Sequence, residues 1–527
     1  MKKKLFTGVL LLIAIEVSLQ SSNITILQNQ KIVGQISALQ KDISAKEYVF
    51  PERIHEFYID TISHYLTVQL RGVSKNGKWL DNTGSLVLYD LNSDSVKWTK
   101  KMNYQTSSIH QYASTIIYST ANKCYCLNIE NGKDLWEVKN NIYYVNPHHR
   151  IGVGYKFNTF NGTSNKLEGI DLKTGTVIWQ KELNRDYGWN DVFCHNDSDL
   201  LIVAGGLHDI NINNGEGWGY NAITGKKDYK GTVAANAIGL TLGALTGVGA
   251  VTIGYELVRD IASNVLVDST SLYFASKENV ARIDKKDGKV IWSSPVPKDL
   301  SSKSSIFIKD SILYMINGGY AYMGYRQINF GVPFIASFNK ESGKERFFSE
   351  ISEKKDPILG SQIKGDTLLL VFKNRVSAYS LLNGSKMFEK EFDATEYGEL
   401  KYFTGSQLYA SSNDSTFTSL ILSDASKNYL YTNKGKILAL DKDLNICGQF
   451  DTEQLYVNYL NTKDYQFIAK GNSTTILDKK CRIIANVNVS KNAFLIGNKL
   501  YDIQETNLLE IDLSELINLE SRGLVTR

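Results

Sequence analysis

Proline, cysteine and histidine are all scarce in this chain, with six, five and seven copies in 527 residues. Few prolines and many tyrosines suit a β-rich protein, because proline has no N–H to give a sheet ladder. The cysteines (Cys124, Cys126, Cys194, Cys447, Cys481) are odd in number for an exported protein. They read as small buried hydrophobes, and a single disulfide between distant parts stays open because sequence cannot pair it. Of the histidines only His148 and His149 cluster. Neighbours on a strand face opposite ways, which favours a polar loop over a metal site. No His-Glu-x-x-His helix, Gly-x-Ser-x-Gly elbow or Cys-x-x-Cys-His haem site occurs. Charge of one sign is missing too. The 59 basic and 55 acidic residues nearly balance, with no block dense enough for a nucleic-acid track.

What is present is a repeat. Asp171-Leu-Lys-Thr-Gly175-Thr-Val-Ile-Trp179 has close copies at Asn128–Trp136 and Asp284–Trp292. Each reads as a β-hairpin. The Asp or Asn ends a strand by bonding nearby backbone N–H groups. The glycine four residues on supplies the positive φ of a tight turn, and the aromatic a further four on lies in the returning strand. First slots fall at Asp90, Asn128, Asp171, Asn221, Asp284, Asn339 and Ser380. Trp98, Trp136, Trp179, Tyr229, Trp292, Phe347 and Phe388 fill the aromatic slot. Asp94 replaces the glycine in the first copy, and aspartate tolerates the left-handed region better than most residues. A weaker eighth copy starts at Asp441, with Asn445 in the glycine slot and Gln449 in the aromatic slot. Degenerate hairpins follow around Thr475–Ala485 and Leu508–Leu519. With two more short strands before most frames, the unit is a four-stranded propeller blade.

The spaced frame resembles the tryptophan-docking motif of quinoprotein-type propellers, the pyrroloquinoline-quinone-like repeat family. Similar repeats occur in quinone-dependent dehydrogenases and in the propeller of the outer-membrane protein assembly machinery. The resemblance covers about Glu56 to Glu520. It implies an all-β fold, a single propeller of about eight four-stranded blades (seven to ten), spanning residues 56–520. Residues 23–55 form an N-terminal extension available for ring closure.

Two segments stand apart. Lys2-Lys3-Lys4, the apolar Leu5–Ile15 and the small or polar residues to Ser22 read as a secretory signal peptide over residues 1–22, which implies a periplasmic or extracellular location and leaves membrane association open. No cysteine follows it to accept a lipid. Val233–Tyr255 carries no charge, and Ala235, Gly239, Gly243 and Gly247 recur every four residues. Residues 231–262 are therefore expected to be a small helical insertion between blades four and five, with Glu256–Ala262 an amphipathic helix. A rim-packed helix, a contact to membrane or partner through Val233–Tyr255, and a Gly/Ala-rich loop all remain open. A simple membrane crossing would put successive blades on opposite sides of a bilayer.

Two loops are candidate binding sites: Trp218 and Tyr220 after a Gly-rich stretch, and Tyr320, Tyr322, Tyr325 and Arg326. The alternative is that these aromatics pack between strands. The expected function is non-catalytic: an exported propeller that serves as a protein–protein interaction scaffold in the cell envelope. No catalytic residue, metal or cofactor is expected, and no nucleic acid. The rivals are a quinone-dependent dehydrogenase and a carbohydrate-binding propeller. Against the first, the adjacent cysteine pair implied by the resemblance is interrupted here as Cys124-Tyr125-Cys126.

Overall fold

Short antiparallel strands account for nearly all regular structure in the computed structural model, which describes residues 24–517 except 38, 105–107, 113, 121–122, 159–161, 184–190, 195, 229–255, 325, 353–354, 405–407, 414–415 and 420–426. The leader lies outside the described residues. Among the described residues nine sheets have four strands and one has eleven. Eight of the nine are successive blades, at residues 53–103, 108–138, 140–182, 191–221, 266–295, 304–350, 360–391 and 400–451. The eleven-stranded sheet holds two more, blade 9 at 456–487 and blade 10 at 494–512. The described strands thus form ten blade-like sets, at the top of the seven-to-ten range and above its centre of eight.

Blade 10 is assembled from both ends of the chain. Its first three strands are Phe494–Ile496, Lys499–Gln504 and Asn507–Asp512, and its fourth is Lys41–Val49, paired Ala45↔Ile511 through Val49↔Asn507. The strand Leu27–Ile36 then pairs both with Lys41–Val49 and with the last strand of blade 9, Ile483–Val487. That double pairing fuses two blades into one sheet. Among the described residues no returning strand follows Asn507–Asp512, contrary to the degenerate hairpin expected around Leu508–Leu519; Lys41–Val49 from the N-terminal end pairs there instead.

Alternation of buried and exposed positions gives each central strand two apolar faces, each packed on a neighbouring blade. Leu88 of blade 1 meets Ile116 of blade 2, and Ile117 of blade 2 meets Ile170 of blade 3. Val153 joins blade 3 to Ile202 of blade 4, and Leu201 joins blade 4 to Phe274 of blade 5. Tyr273 continues to Met315, Ile316 to Leu370, and Val371 to Leu430. Tyr429 then clusters with Leu455, Phe467 with Ile511, and Tyr501 with Val68 of blade 1. The last contact returns to the first blade, so the sheets close into a ring.

Two expectations change. The fourth frame starts at Asn211, where Gly215 has φ +74°, rather than at Asn221, which ends the last strand of blade 4. Blade 4 lacks the bulged residue that blade 3 has at Ile178, opposite the Gly169–Ile170 step, so its aromatic falls one position early and escapes the spacing. The described part of the insertion is strand, not helix: Glu256–Arg259 pairs with Lys226–Asp228 and with Tyr320–Met323. Pairing on both edges satisfies backbone groups that one isolated helical turn would leave open.

Candidate functional site

The frame turns join blade to blade through one repeated contact. Indole N–H groups of Trp98, Trp136, Trp179, Trp218 and Trp292 donate to the carbonyls of Ile129, Leu172, Ile212, Lys285 and Lys340, at 2.7, 2.9, 2.6, 3.1 and 3.0 Å. Every acceptor is the residue after the Asp or Asn of the next blade's turn. The ring lies flat on that turn's glycine: a methyl added to Gly175 would sit 2.6 Å from Trp136, and one added to Gly215 would sit 2.7 Å from Trp179. Glycine is needed there for closeness as much as for its φ of +73° at Gly175. Phe347 covers Gly384 in the same way. Trp218, expected in a binding loop, is thus placed between blades 4 and 5, and Tyr220 packs partly buried in the same cluster. One face of the Trp218 ring is taken by Gly288 of the next blade. Tyr229 lies outside the described residues.

From blade 7 onward the contact changes. The turn after Asp441 is one residue shorter, so Leu444, not Asn445, takes the positive φ of +61°. Its side chain is buried among Leu438 and Leu440, and Phe388, which would lie over a glycine there, is 36% exposed. Ala439 pairs with Gly448, so Gly448 rather than Gln449 stands where an aromatic was expected.

Antiparallel order puts the first-to-second and third-to-fourth strand turns at one end of every blade, and all other connections at the opposite end. The docking turns crowd the first end. The second carries the projecting loops. There, the hairpin Tyr320–Met323 and Arg326–Asn329, inserted in blade 6, joins Glu256–Arg259 and Lys226–Asp228 from the blade 4–5 connection in one extra sheet. Val258, Ile261 and Ala321 form its small core. Arg259 donates to the Gly324 carbonyl at 3.0 Å, and Lys303 pairs with Asp260 at 2.8 Å. Tyr320 and Tyr322 stand edge to face with centroids 5.9 Å apart, and Arg326 is exposed beside them. Tyr325 lies outside the described residues. The turn Ser74–Trp79 of blade 1 extends from the same end, with Trp79 72% exposed. Sequence reasoning missed Trp79; its Ser-Lys-Asn-Gly-Lys setting, a polar turn with no strand alternation, was the available signal.

Chemistry is sparse. No group of three or more His, Cys, Asp or Glu that could hold a metal is found among the described residues. The residues do not fit a quinone site of the dehydrogenase kind. Cys124 is buried between blades 2 and 3, its sulfur 2.8 Å from Ser119 Oγ and 3.1 Å from the Asn140 carbonyl, and Cys126 is buried as well. Burial pushes both thiols up, Cys126 to about 11, so neither is a ready thiolate or presents a face to a planar cofactor. His208 is buried against the Ala204 carbonyl at 3.0 Å, and burial lowers its pKa. Beside it, burial raises the Asp209 carboxyl to about 6, with Asp199 adding to the rise and Lys181 of blade 3 opposing it. That pair spans the blade 3–4 seam, with Lys181 Nζ also donating to the Gly217 carbonyl at 3.3 Å. It belongs to packing between blades.

A closed ring of four-stranded sheets tied by tryptophan-on-glycine turns defines a β-propeller of the pyrroloquinoline-quinone-like repeat class. Within that class the chain resembles the outer-membrane assembly factor: residues 82–294 match the family model described as outer membrane protein assembly factor BamB. Among solved structures, BamB from Moraxella catarrhalis is 14% identical, covering 77% of this chain and 96% of that one with a TM-score of 0.28. A eukaryotic initiation factor is 10% identical, covering 70% and 89% with a TM-score of 0.34. The C-terminal WD40 domain of Sif2 is 12% identical, covering 72% and 92% with a TM-score of 0.27. These scores carry no argument about function. No curated protein matches the chain.

Proposed function

We propose that this chain is a non-catalytic propeller that works as a protein–protein interaction scaffold in the cell envelope, exported by its leader. The match of residues 82–294 to the outer-membrane assembly family carries the reading. The rigid inter-blade docking supports it, since a stiff ring holds projecting loops at fixed separations. The loop-bearing end is the assigned contact face, through Trp79, Tyr320, Tyr322 and Arg326. Aromatics and arginine are the residue types that dominate binding energy at protein interfaces.

Val233–Tyr255 adds a contact to a membrane or to the same partner. Asp228 pairs with Glu256, so the chain leaves and returns at one place. That arrangement supports a surface contact and opposes a single crossing. Among the described residues no helix is long and apolar enough to span a bilayer.

The test is affinity purification of the tagged full chain from envelope extract. A specific envelope partner should be recovered, and its yield should fall at least fivefold with Tyr322→Ala plus Arg326→Ala at unchanged circular dichroism. Recovery of no partner, or of the same partner at the same yield, removes the scaffold role of this face. Deleting 233–255 and measuring flotation with phosphatidylglycerol vesicles tests the membrane arm separately.

A further inference from the structure

The ring-closing seam breaks the docking rule in a way that leaves a shaped opening. In blade 3 the residue facing Trp179 across the hairpin is Gly169, two before Asp171. In blade 10 the corresponding aspartate is Asp512, which makes the same local bond, to the Ser514 N–H at 2.8 Å. Two before it is Glu510, and across from Glu510 stands Lys46. A lysine therefore stands at the register position of the ring. Opposite, in the glycine slot of blade 1, stands Asp94 at φ +50°, paired with Lys46 at 2.7 Å. The ring-on-glycine contact has been exchanged for an ion pair on both sides at once.

The rest of the slot is kept. The Leu91 N–H bonds the His64 carbonyl at 3.0 Å, as Leu172 bonds Arg150 at 2.9 Å and Lys285 bonds Thr270 at 2.9 Å. This holds the Leu91 carbonyl in the position of the five that accept an indole N–H elsewhere, yet no indole among the described residues reaches it. Beside it lies a cavity of about 320 Å³ lined by Ile59, Leu91, Ile496, Tyr48 and Tyr501 together with the polar or charged Lys46, Thr61, His64, Asn92, Lys499 and Glu510. Glu510 at its floor is already satisfied by Lys499 at 2.5 Å, Tyr501 at 3.2 Å and Tyr48 at 3.4 Å. A mixed lining of aromatic, aliphatic and polar groups, a carbonyl that no described indole reaches and a compensated Glu510 suit an uncharged aromatic with a single N–H donor.

We propose that this seam pocket receives a tryptophan side chain presented by a partner protein, which completes in trans the contact that the chain makes five times with its own indoles. The Lys46 ammonium beside the slot adds a cation to the face of the incoming ring. This inference rests on the scaffold reading for its setting, but its site lies at the docking-turn end of the ring, away from the loop-bearing face. Its test uses purified protein and no partner, so either can fail alone.

The probe is N-acetyl-tryptophanamide, titrated into the full chain by saturation-transfer NMR. N-acetyl-phenylalaninamide, which lacks the ring N–H, and N-acetyl-leucinamide serve as comparators. Saturable binding is expected for the indole, at least fivefold weaker for phenyl and absent for leucine. The double variant Lys46→Trp with Asp94→Gly fills the slot from within; it should melt higher than wild type and bind the probe at least tenfold more weakly. Asp94→Gly alone leaves the pocket open and should still bind. A diazirine-bearing tryptophan analogue should label peptides containing Leu91 or Ile496, which keeps the assignment testable if the double variant misfolds. Equal binding of the three probes, equal binding by wild type and the double variant, or labelling elsewhere would each overturn it.

Discussion

Blades 1 to 7 and the arc from blade 8 back to blade 1 solve the same problem by different means. In the first region an aromatic ring sits on a glycine, which buries a large apolar surface and leaves no room for any other turn residue. In the second, Gly448 and Ala485 stand at ring positions, Leu444 and Cys481 hold positive φ with side chains, and Lys46 meets Asp94. There the chain relies on strand pairing instead: the eleven-stranded sheet links blades 9 and 10, and Leu408–Asn413 adds to the first strand of blade 9 through Leu408↔Val457. Side-chain docking is local in sequence and can be repeated. Strand exchange is what remains when the two ends of a chain must meet.

The comparison breaks most readily at a docked ring. Trp179→Ala should lower stability by about 3–5 kcal/mol, as large-to-small core changes do, read as the urea midpoint; an unchanged midpoint would show that the ring is not a docking element. Next come two glycines of similar backbone. Gly343 has φ +71° with Trp292 2.5 Å from an added methyl, whereas Gly365 has φ +56° and nothing within 4 Å. Gly365→Ala should cost about 1–2 kcal/mol from left-handed strain alone, and Gly343→Ala clearly more; equal costs would mean the ring can move aside.

The blade 3–4 seam gives a pH signature. Burial, aided by Asp199, lifts the Asp209 carboxyl to about 6 in the fold from an ordinary 3.8. A raised acid favours the folded state fully below 3.8 and loses that contribution as pH rises through about 6. Asp209→Asn should therefore melt progressively higher than wild type as pH rises from 4 to 7, with the gap closing at acid pH. A gap independent of pH would assign the effect to shape. The smallest change is expected at the closing seam. Lys46 and Asp94 are 28% and 45% exposed, so a double-mutant cycle on Lys46→Ala and Asp94→Ala should give a coupling below about 1 kcal/mol that fades with salt.

How much of this was legible follows the same division. Asp171 to Trp179 reads from sequence because the turn chemistry and the buried ring are tied to fixed spacing. One missing bulge residue hid Trp218 from that spacing and made a polar, Gly-rich docking turn look like a ligand loop. Blades 8 and 9 are fainter because their turns are one residue shorter and carry no ring. Blade 10 has no local signature, since Lys41–Val49 and Asn507–Asp512 become neighbours only in the closed ring. Glu256–Arg259 has helical periodicity but sits beside a hairpin from blade 6 whose location no local pattern states. The exposed Trp79 and the open slot above Leu91 are properties of what is absent around them, and a linear pattern records only what is present.

The bridging strand Leu27–Ile36 has a consequence for how the molecule is made. Its neighbours are Ile483–Val487 and, through Lys41–Val49, the strand Asn507–Asp512. The first stretch of the ring to be synthesised can pair at once only with itself, as the hairpin of Leu27–Ile36 and Lys41–Val49, and both outer edges of that hairpin must wait for almost the last residues, leaving apolar Val33 and unpaired backbone on offer until then. For most of its birth this protein is an open spiral with a sticky lip, and any helper that shields newly made chains has an obvious place to hold it.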